Sequence, residues 1–85
     1  ALNGMFSRSI RKGIDMGLFR SDIDIDFVTR IFFNGIRGIT DVELFTLEEY
    51  RIDQLLINFS EYHLRAISTK AGVEKLNIYK KELDI

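Results

Sequence analysis

The sequence predicts an all-α fold, an antiparallel helical bundle of about four helices, and three observations lead to it. The 85 residues contain no proline. Apolar residues recur at the i, i+3, i+4 spacing of an amphipathic helix along almost the whole chain. Residue types that favour helix starts and helix ends separate these segments. A chain of this length forms one domain at most, and it shows no internal repeat and no low-complexity tract.

The first helix is predicted over residues 2–16. Gly17 follows it, where a glycine can adopt the left-handed conformation that ends many helices. Leu18 and Phe19 are expected to turn the link back toward the core. One face of this helix carries the apolar and small residues Leu2, Met5, Phe6, Ser9, Ile10, Gly13 and Ile14.

The second helix is predicted over residues 24–39, with Ser21, Asp22 and Asp24 as candidate N-caps. Gly35 and Gly38 each cost about 1 kcal/mol of helix propensity relative to alanine, which favours a close approach of another element. The apolar surface is wide, so we expect more than one neighbour to cover it. Its members are Phe27, Val28, Ile31, Phe32, Phe33, Gly35, Ile36 and Ile39.

The third helix is predicted over residues 47–67. Thr46 and Glu49 have the spacing of a capping box, and Phe45 and Tyr50 have that of a hydrophobic staple. Two apolar stripes run along this helix, which predicts two packing partners. One stripe consists of Ile52, Leu55, Leu56, Phe59, Tyr62, His63 and Ala66, and the other of Leu47, Tyr50, Ile57, Leu64 and Ile67.

The fourth helix is predicted over residues 70–83, capped by Ser68 or Thr69, with a thinner apolar stripe. Taken together, the second and third helices carry more apolar surface than four short helices can bury. We therefore expect the chain to dimerise, to pack against upstream helices, or both.

Composition excludes several classes of protein. The chain has no cysteine and one histidine, so disulfides and Cys/His zinc sites are not expected. Its net charge of −1 lacks the basic excess of a DNA-binding domain. No apolar run approaches a membrane span and no signal peptide is visible, so a cytoplasmic location is expected.

Two patterns resemble catalytic or metal sites. Asp22, Asp24 and Asp26 have the spacing that opens a calcium loop, but Phe27 and Phe33 stand where that loop needs glycine and glutamate. Helix capping is the preferred interpretation of the three aspartates. His63 lies on an apolar stripe with no identifiable nucleophile or orienting acid, so a packed histidine is preferred to a general base. We predict no enzyme activity, no metal and no cofactor.

Taken in order, the segments resemble the C-terminal part of TetR/AcrR-type transcriptional regulators, in the version common among Bacteroides-like members. The resemblance covers nearly the whole chain and rests on residues 10–20 (IRKGIDMGLFR), the acidic link 21–24 (SDID), the following aliphatic-aromatic helix, residues 41–45 (DVELF), the long third helix and the tail 65–72 (RAISTKAG). It implies that residues 1–85 form a regulatory and dimerisation domain. It also implies a homodimer joined by a four-helix bundle and a small apolar effector. Operator DNA would be bound only through an N-terminal helix-turn-helix that this sequence lacks.

Two sets of residues are predicted to carry this function. The dimer interface is expected at Ile36, Ile39, Leu55, Phe59, Tyr62 and His63. An apolar effector cavity is expected at Met5, Phe6, Ile10 and Phe32, although aromatic residues at helical spacing are also typical of a plain core. The alternative function is a stand-alone helical module whose groove accepts a partner helix.

Overall fold

The computed structural model describes the backbone of residues 2–83 and the side chains of residues 4–83. This part of the chain folds into four helices, which confirms the predicted all-α class. They are α1 (Leu2–Asp15), α2 (Ile25–Ile39), α3 (Ile52–Ile67) and α4 (Lys70–Leu83). Three of the four helices lie within a residue or so of their predicted bounds.

The helices pack in sequential order, α1 on α2, α2 on α3 and α3 on α4. This arrangement is broad and flat, with extents of 41 × 30 × 20 Å. Its core is correspondingly small and centres on Ile10, Val28 and Ile67. Half-buried apolar side chains surround these three; they are Phe6, Ile14, Phe19, Ile23 and Ile25.

The end of α1 is a Schellman motif, as the position of Gly17 predicts. Gly17 has a φ of +75°. Its N–H donates to the Ile14 carbonyl at 2.9 Å, and the N–H of Leu18 donates to the Gly13 carbonyl at 2.9 Å. These two bonds reverse the chain and direct the link toward α3 and α4.

The link and the start of α4 are tied together by Thr69. Its hydroxyl donates to the Gly17 carbonyl at 2.7 Å and accepts the Gly72 N–H at 3.1 Å. The Thr69 N–H donates to the Leu18 carbonyl at 2.9 Å. Thr69, one of two predicted candidates, is thus the N-cap of α4, and it also connects α4 to the end of α1.

The start of α2 follows the prediction, whereas the predicted start of α3 is wrong. Asp24 caps α2 by accepting the Phe27 N–H at 3.1 Å. In contrast, α3 begins at Ile52, five residues after the predicted position, and its N-cap residue Arg51 makes no side-chain cap bond. Residues 46–50 form a separate turn, in which the Glu49 and Tyr50 N–H groups both donate to the Thr46 carbonyl.

Candidate functional site: an exposed apolar face on α2 and α3

One side of the α2–α3 pair carries large apolar side chains that no other part of the described chain covers. Phe27 is 61% exposed and Tyr62 is 73% exposed, and Ile31 is also exposed. Helical spacing places Phe27 and Ile31 on one stripe of α2 and places Leu55, Tyr62 and Ala66 on one stripe of α3. We call the surface formed by Phe27, Ile31, Leu55, Tyr62 and Ala66 the α2/α3 face.

A glycine sets how closely the two helices approach each other behind this face. The Phe59 ring lies directly on Gly35, since a Cβ built at position 35 would come within 2.2 Å of the Phe59 Cζ. The same ring stacks on Phe32 with centroids 5.4 Å apart. Phe59 therefore packs mainly within its own chain, and the close approach expected from the glycines of α2 is present at Gly35.

The floor behind the face contains His63, which is 7% exposed. Its ring lies 4.8 Å from Phe32, 6.0 Å from Phe6 and 6.1 Å from Phe59, measured between ring centroids. Its Nε2 is buried and has no hydrogen-bond partner among the described residues. Burial lowers the pKa of His63, which favours the neutral imidazole. The aromatic neighbours of His63 make its environment that of a packed histidine, and no carboxylate of the described residues is hydrogen-bonded to its ring.

Two depressions lie along the face and share Tyr62. The smaller, about 340 Å³, lies where α2 begins and α3 ends. The larger, about 570 Å³, lies where α2 ends and α3 begins. Phe45 and Tyr50 form one wall of the larger depression, with their rings 5.2 Å apart and nearly perpendicular. Phe45 and Tyr50, the pair predicted to form a hydrophobic staple, are thus in contact. They border the α2/α3 face and do not flank the start of a helix.

The six residues predicted for a dimer interface fall into three groups. Ile39 and His63 are buried within the chain itself and have little surface left for a partner. Ile36, Leu55 and Phe59 are half-buried, and Tyr62 is exposed. The six residues lie on the two helices that form the face, but the assignment of the interface itself stays a prediction.

Phe27 and Ile31 are the members of the face that the predicted interface omits. Both belong to the wide apolar surface predicted for α2, and their i, i+4 spacing places them on one stripe of that helix. Which edge of that surface would stay uncovered depends on where α1 and α3 pack.

The four residues predicted for an effector cavity do not line a common wall. Phe6 stacks on Phe32 with centroids 4.5 Å apart. Ile10 is 2% exposed and belongs to the core. Met5 is 58% exposed and lines a shallow depression with Arg8, Ser9 and Lys12. Ile10 is therefore part of the core, Phe6 and Phe32 are half-buried and stacked on each other, and Met5 lies on a different surface.

The three aspartates near the start of α2 have separate partners. Asp22 forms an ion pair with Arg20, which lowers the pKa of the carboxyl. Asp24 caps the helix, and Asp26 forms an ion pair with Arg30 one helical turn later. Within residues 2–83, no group of three or more histidine or acidic side chains is arranged to hold a metal ion. Capping and ion pairing account for this motif.

No family model, curated protein or solved structure gives a significant match to the chain. Among the helices of the described region, none has the length and apolarity that crossing a membrane requires. The exposed apolar residues of the α2/α3 face are therefore the feature of this chain that points to a function.

Proposed function

We propose that this chain is the ligand-sensing and dimerisation domain of a TetR-like transcriptional regulator and that the α2/α3 face joins two copies. In this proposal DNA binding resides in an N-terminal helix-turn-helix domain, and the chain contributes the dimer that sets the spacing of two such domains. The observation that carries the proposal is the exposure of Phe27, Ile31 and Tyr62 on one face of two adjacent helices.

The accessible surface of the chain exceeds that of a compact monomer by enough to accommodate an interface with a partner. The chain exposes 6498 Å². A compact monomer of 9.9 kDa would expose about 5,200 Å². The surplus of roughly 1,300 Å² exceeds the roughly 800 Å² that each partner contributes to an interface of standard size. The radius of gyration, 13.9 Å, is likewise larger than the roughly 12 Å of a compact chain of this length.

A second copy suits the shape of the face. Two adjacent helices that meet their own copies across a twofold axis form a four-helix bundle, in which each residue of one copy faces a residue of the other. The face is largely apolar and is bordered by the charged pairs Arg20–Asp22 and Arg51–Asp53. An apolar centre with a charged rim is the composition typical of a dimer interface.

Regulation in this proposal is a shift between two arrangements of the dimer. An effector changes the separation of the DNA-binding domains only if it binds one arrangement more tightly than the other. The α2–α3 contact is a suitable element for such a change, because Phe59 and Gly35 set the distance between the two helices that also form the face.

A fusion experiment tests the dimerising role in a functional setting. The chain is joined to a DNA-binding domain that binds its operator tightly only as a dimer, and operator binding is measured by gel shift. We expect tight binding by the fusion and its loss in the Phe27→Asp variant. The matched control is Ile78→Asp, which changes an exposed apolar residue on α4. Weak, monomer-like binding by the unmodified fusion would refute the proposal.

A stand-alone interaction module is the second candidate function, and the larger depression favours it. Its apolar lining of Phe45, Tyr50, Leu55 and Phe59 fits the groove that an amphipathic partner helix occupies. Under this alternative the fusion would stay monomeric on DNA, so the same experiment separates the two functions.

A further inference from the structure

A second apolar cavity lies on the opposite side of α3 from the α2/α3 face. This cavity is open to solvent on one side, and it is lined by the end of α1, the link after it, the last turns of α3 and the first half of α4. Its volume is about 320 Å³, at the lower end of the range for small-molecule sites. Phe19, Leu64 and Leu76 form its apolar lining, together with the ring of Tyr79.

The charge around this cavity has one sign. Lys12 of α1 and Lys75 of α4 both line it, and no acidic side chain does. In the described part of the chain, neither lysine takes part in an ion pair. The Lys75 ammonium lies 5.8 Å from the centroid of the Tyr79 ring, which also lines the cavity. By contrast, acidic side chains line both depressions of the α2/α3 face, Glu49 in one and Asp24 in the other.

Two glycine contacts hold the walls of the cavity in place. The Phe19 ring lies on Gly13, where an added Cβ would come within 2.3 Å of it. The start of α4 lies on the link, where a Cβ at Gly72 would come within 2.0 Å of the Leu18 carbonyl oxygen. Because the Thr69 hydrogen bonds hold the same junction, the apolar lining is ordered before any ligand arrives.

We propose that this cavity binds a small amphipathic carboxylate, whose hydrocarbon part lies against Phe19, Leu64 and Leu76 and whose carboxylate is held by Lys12 and Lys75. An apolar pocket alone would favour a neutral hydrocarbon. Two lysines that line the cavity and form no ion pair among the described residues favour a negatively charged ligand. A short-chain carboxylate supplies both the hydrocarbon part and the negative charge. This proposal does not depend on the proposed dimerisation, since the cavity and the α2/α3 face lie on different sides of α3.

Octanoate is a suitable probe, and titration calorimetry with the full chain measures its binding. We expect saturable binding with one site per chain. Octanoate should bind about fifteenfold more tightly than hexanoate, because it has two more methylenes and each further buried methylene strengthens binding about fourfold. Octan-1-ol, which has the same number of carbon atoms but no charge, should bind more weakly than octanoate.

Variants locate the site. The Lys12→Gln/Lys75→Gln double variant should bind octanoate roughly tenfold more weakly and should bind octan-1-ol as the unmodified chain does. The matched control is Arg11→Gln/Lys81→Gln, which also removes one positive charge from α1 and one from α4 but changes no residue of the cavity. This control should bind octanoate normally.

Three results would overturn the proposal. They are the absence of saturable octanoate binding, equal binding of octanoate and octan-1-ol, and equal loss of octanoate affinity in the two double variants. Circular dichroism of each variant shows whether the fold is kept. Since the four substitutions are at exposed positions, all variants should fold.

Discussion

Gly35 and Gly38 lie one turn apart in α2, and their surroundings differ sharply. A Cβ at Gly35 would meet the Phe59 ring at 2.2 Å, whereas a Cβ at Gly38 would meet nothing within 4 Å. Packing against Phe59 therefore requires a glycine at position 35. Gly38 has no such contact, so its effect on stability is the lower helix propensity of glycine relative to alanine.

This contrast gives the first prediction. Gly35→Ala should lower the free energy of unfolding by about 1–2 kcal/mol, since the cost of overpacking exceeds the gain in helix propensity. Gly38→Ala should raise it by about 0.5–1 kcal/mol. Urea unfolding at one protein concentration measures both variants. Stabilisation by both substitutions would show that Phe59 does not pack on Gly35.

His63 gives the second prediction, a pH dependence of stability. The usual pKa of histidine is about 6.5, and burial lowers it in the folded chain. Below about pH 6.5 the unfolded chain therefore binds a proton at His63 more readily than the folded chain does. The free energy of unfolding should fall as the pH is lowered from about 6.5 to 5.

Between about pH 6.5 and 5, the change in stability reports on His63 and not on the acidic groups. Hydrogen bonds from basic side chains lower the pKa values of three carboxyls. Arg20 donates to Asp22, Arg51 donates to Asp53, and both Lys80 and Arg65 donate to Glu61. Their contributions are therefore lost only at lower pH. His63 is the only histidine in the chain, so a His63→Leu variant should show little pH dependence from 6.5 to 5. An equal slope in both proteins, measured by thermal unfolding, would exclude the assignment.

At the scale of single elements, the N-caps show which local signals were sufficient. Asp24 and Thr69 cap their helices with side-chain oxygens, as their sequence contexts predict. The pair Thr46 and Glu49 has an equally good signature, yet it forms only a turn, in which the Thr46 hydroxyl donates to the Glu49 carboxylate at 3.2 Å. A cap signature selects a helix start only when the following turn also packs on the core, and Leu47 in that turn is exposed.

Thr69 carries the third prediction. Thr69→Ala removes both the N-cap of α4 and the bond to the Gly17 carbonyl, so it should lower the free energy of unfolding by about 1–2 kcal/mol. Thr69→Ser keeps the hydroxyl and should restore most of this loss. The control is Thr40→Ala, because the Thr40 hydroxyl bonds only to the nearby Arg37 carbonyl. If chemical unfolding shows the same effect for Thr40→Ala and Thr69→Ala, the junction is not held by Thr69.

The candidate site was predictable in part. Helical periodicity located its two helices, because an apolar stripe on a helix must be covered by something. It did not separate residues covered by the chain itself from residues left exposed. His63 and Ile39 lie on the predicted stripes but are buried in the chain, whereas Phe27 lies at the edge of a stripe and is exposed. That distinction depends on how α1 and α3 are positioned around α2, which single-helix patterns do not contain.

At the scale of the whole molecule, the sequential packing of four helices leaves two different surfaces. One is the α2/α3 face, which carries the exposed side chains of Phe27, Ile31 and Tyr62. The other holds the lysine-rimmed cavity between α1, α3 and α4. In a dimer formed through the α2/α3 face, that cavity stays open to solvent, so ligand binding and association can be measured separately.

The solution mass of the chain across a concentration series, measured by light scattering, tests directly whether the α2/α3 face joins two copies. We predict a dimer of twice the 9.9 kDa monomer mass. In Phe27→Asp the dissociation constant should rise about thirtyfold or more, while Ile78→Asp should remain dimeric. A well-folded monomer at all concentrations, or a Phe27→Asp variant that dimerises as the unmodified chain does, would show that the α2/α3 face does not join two copies.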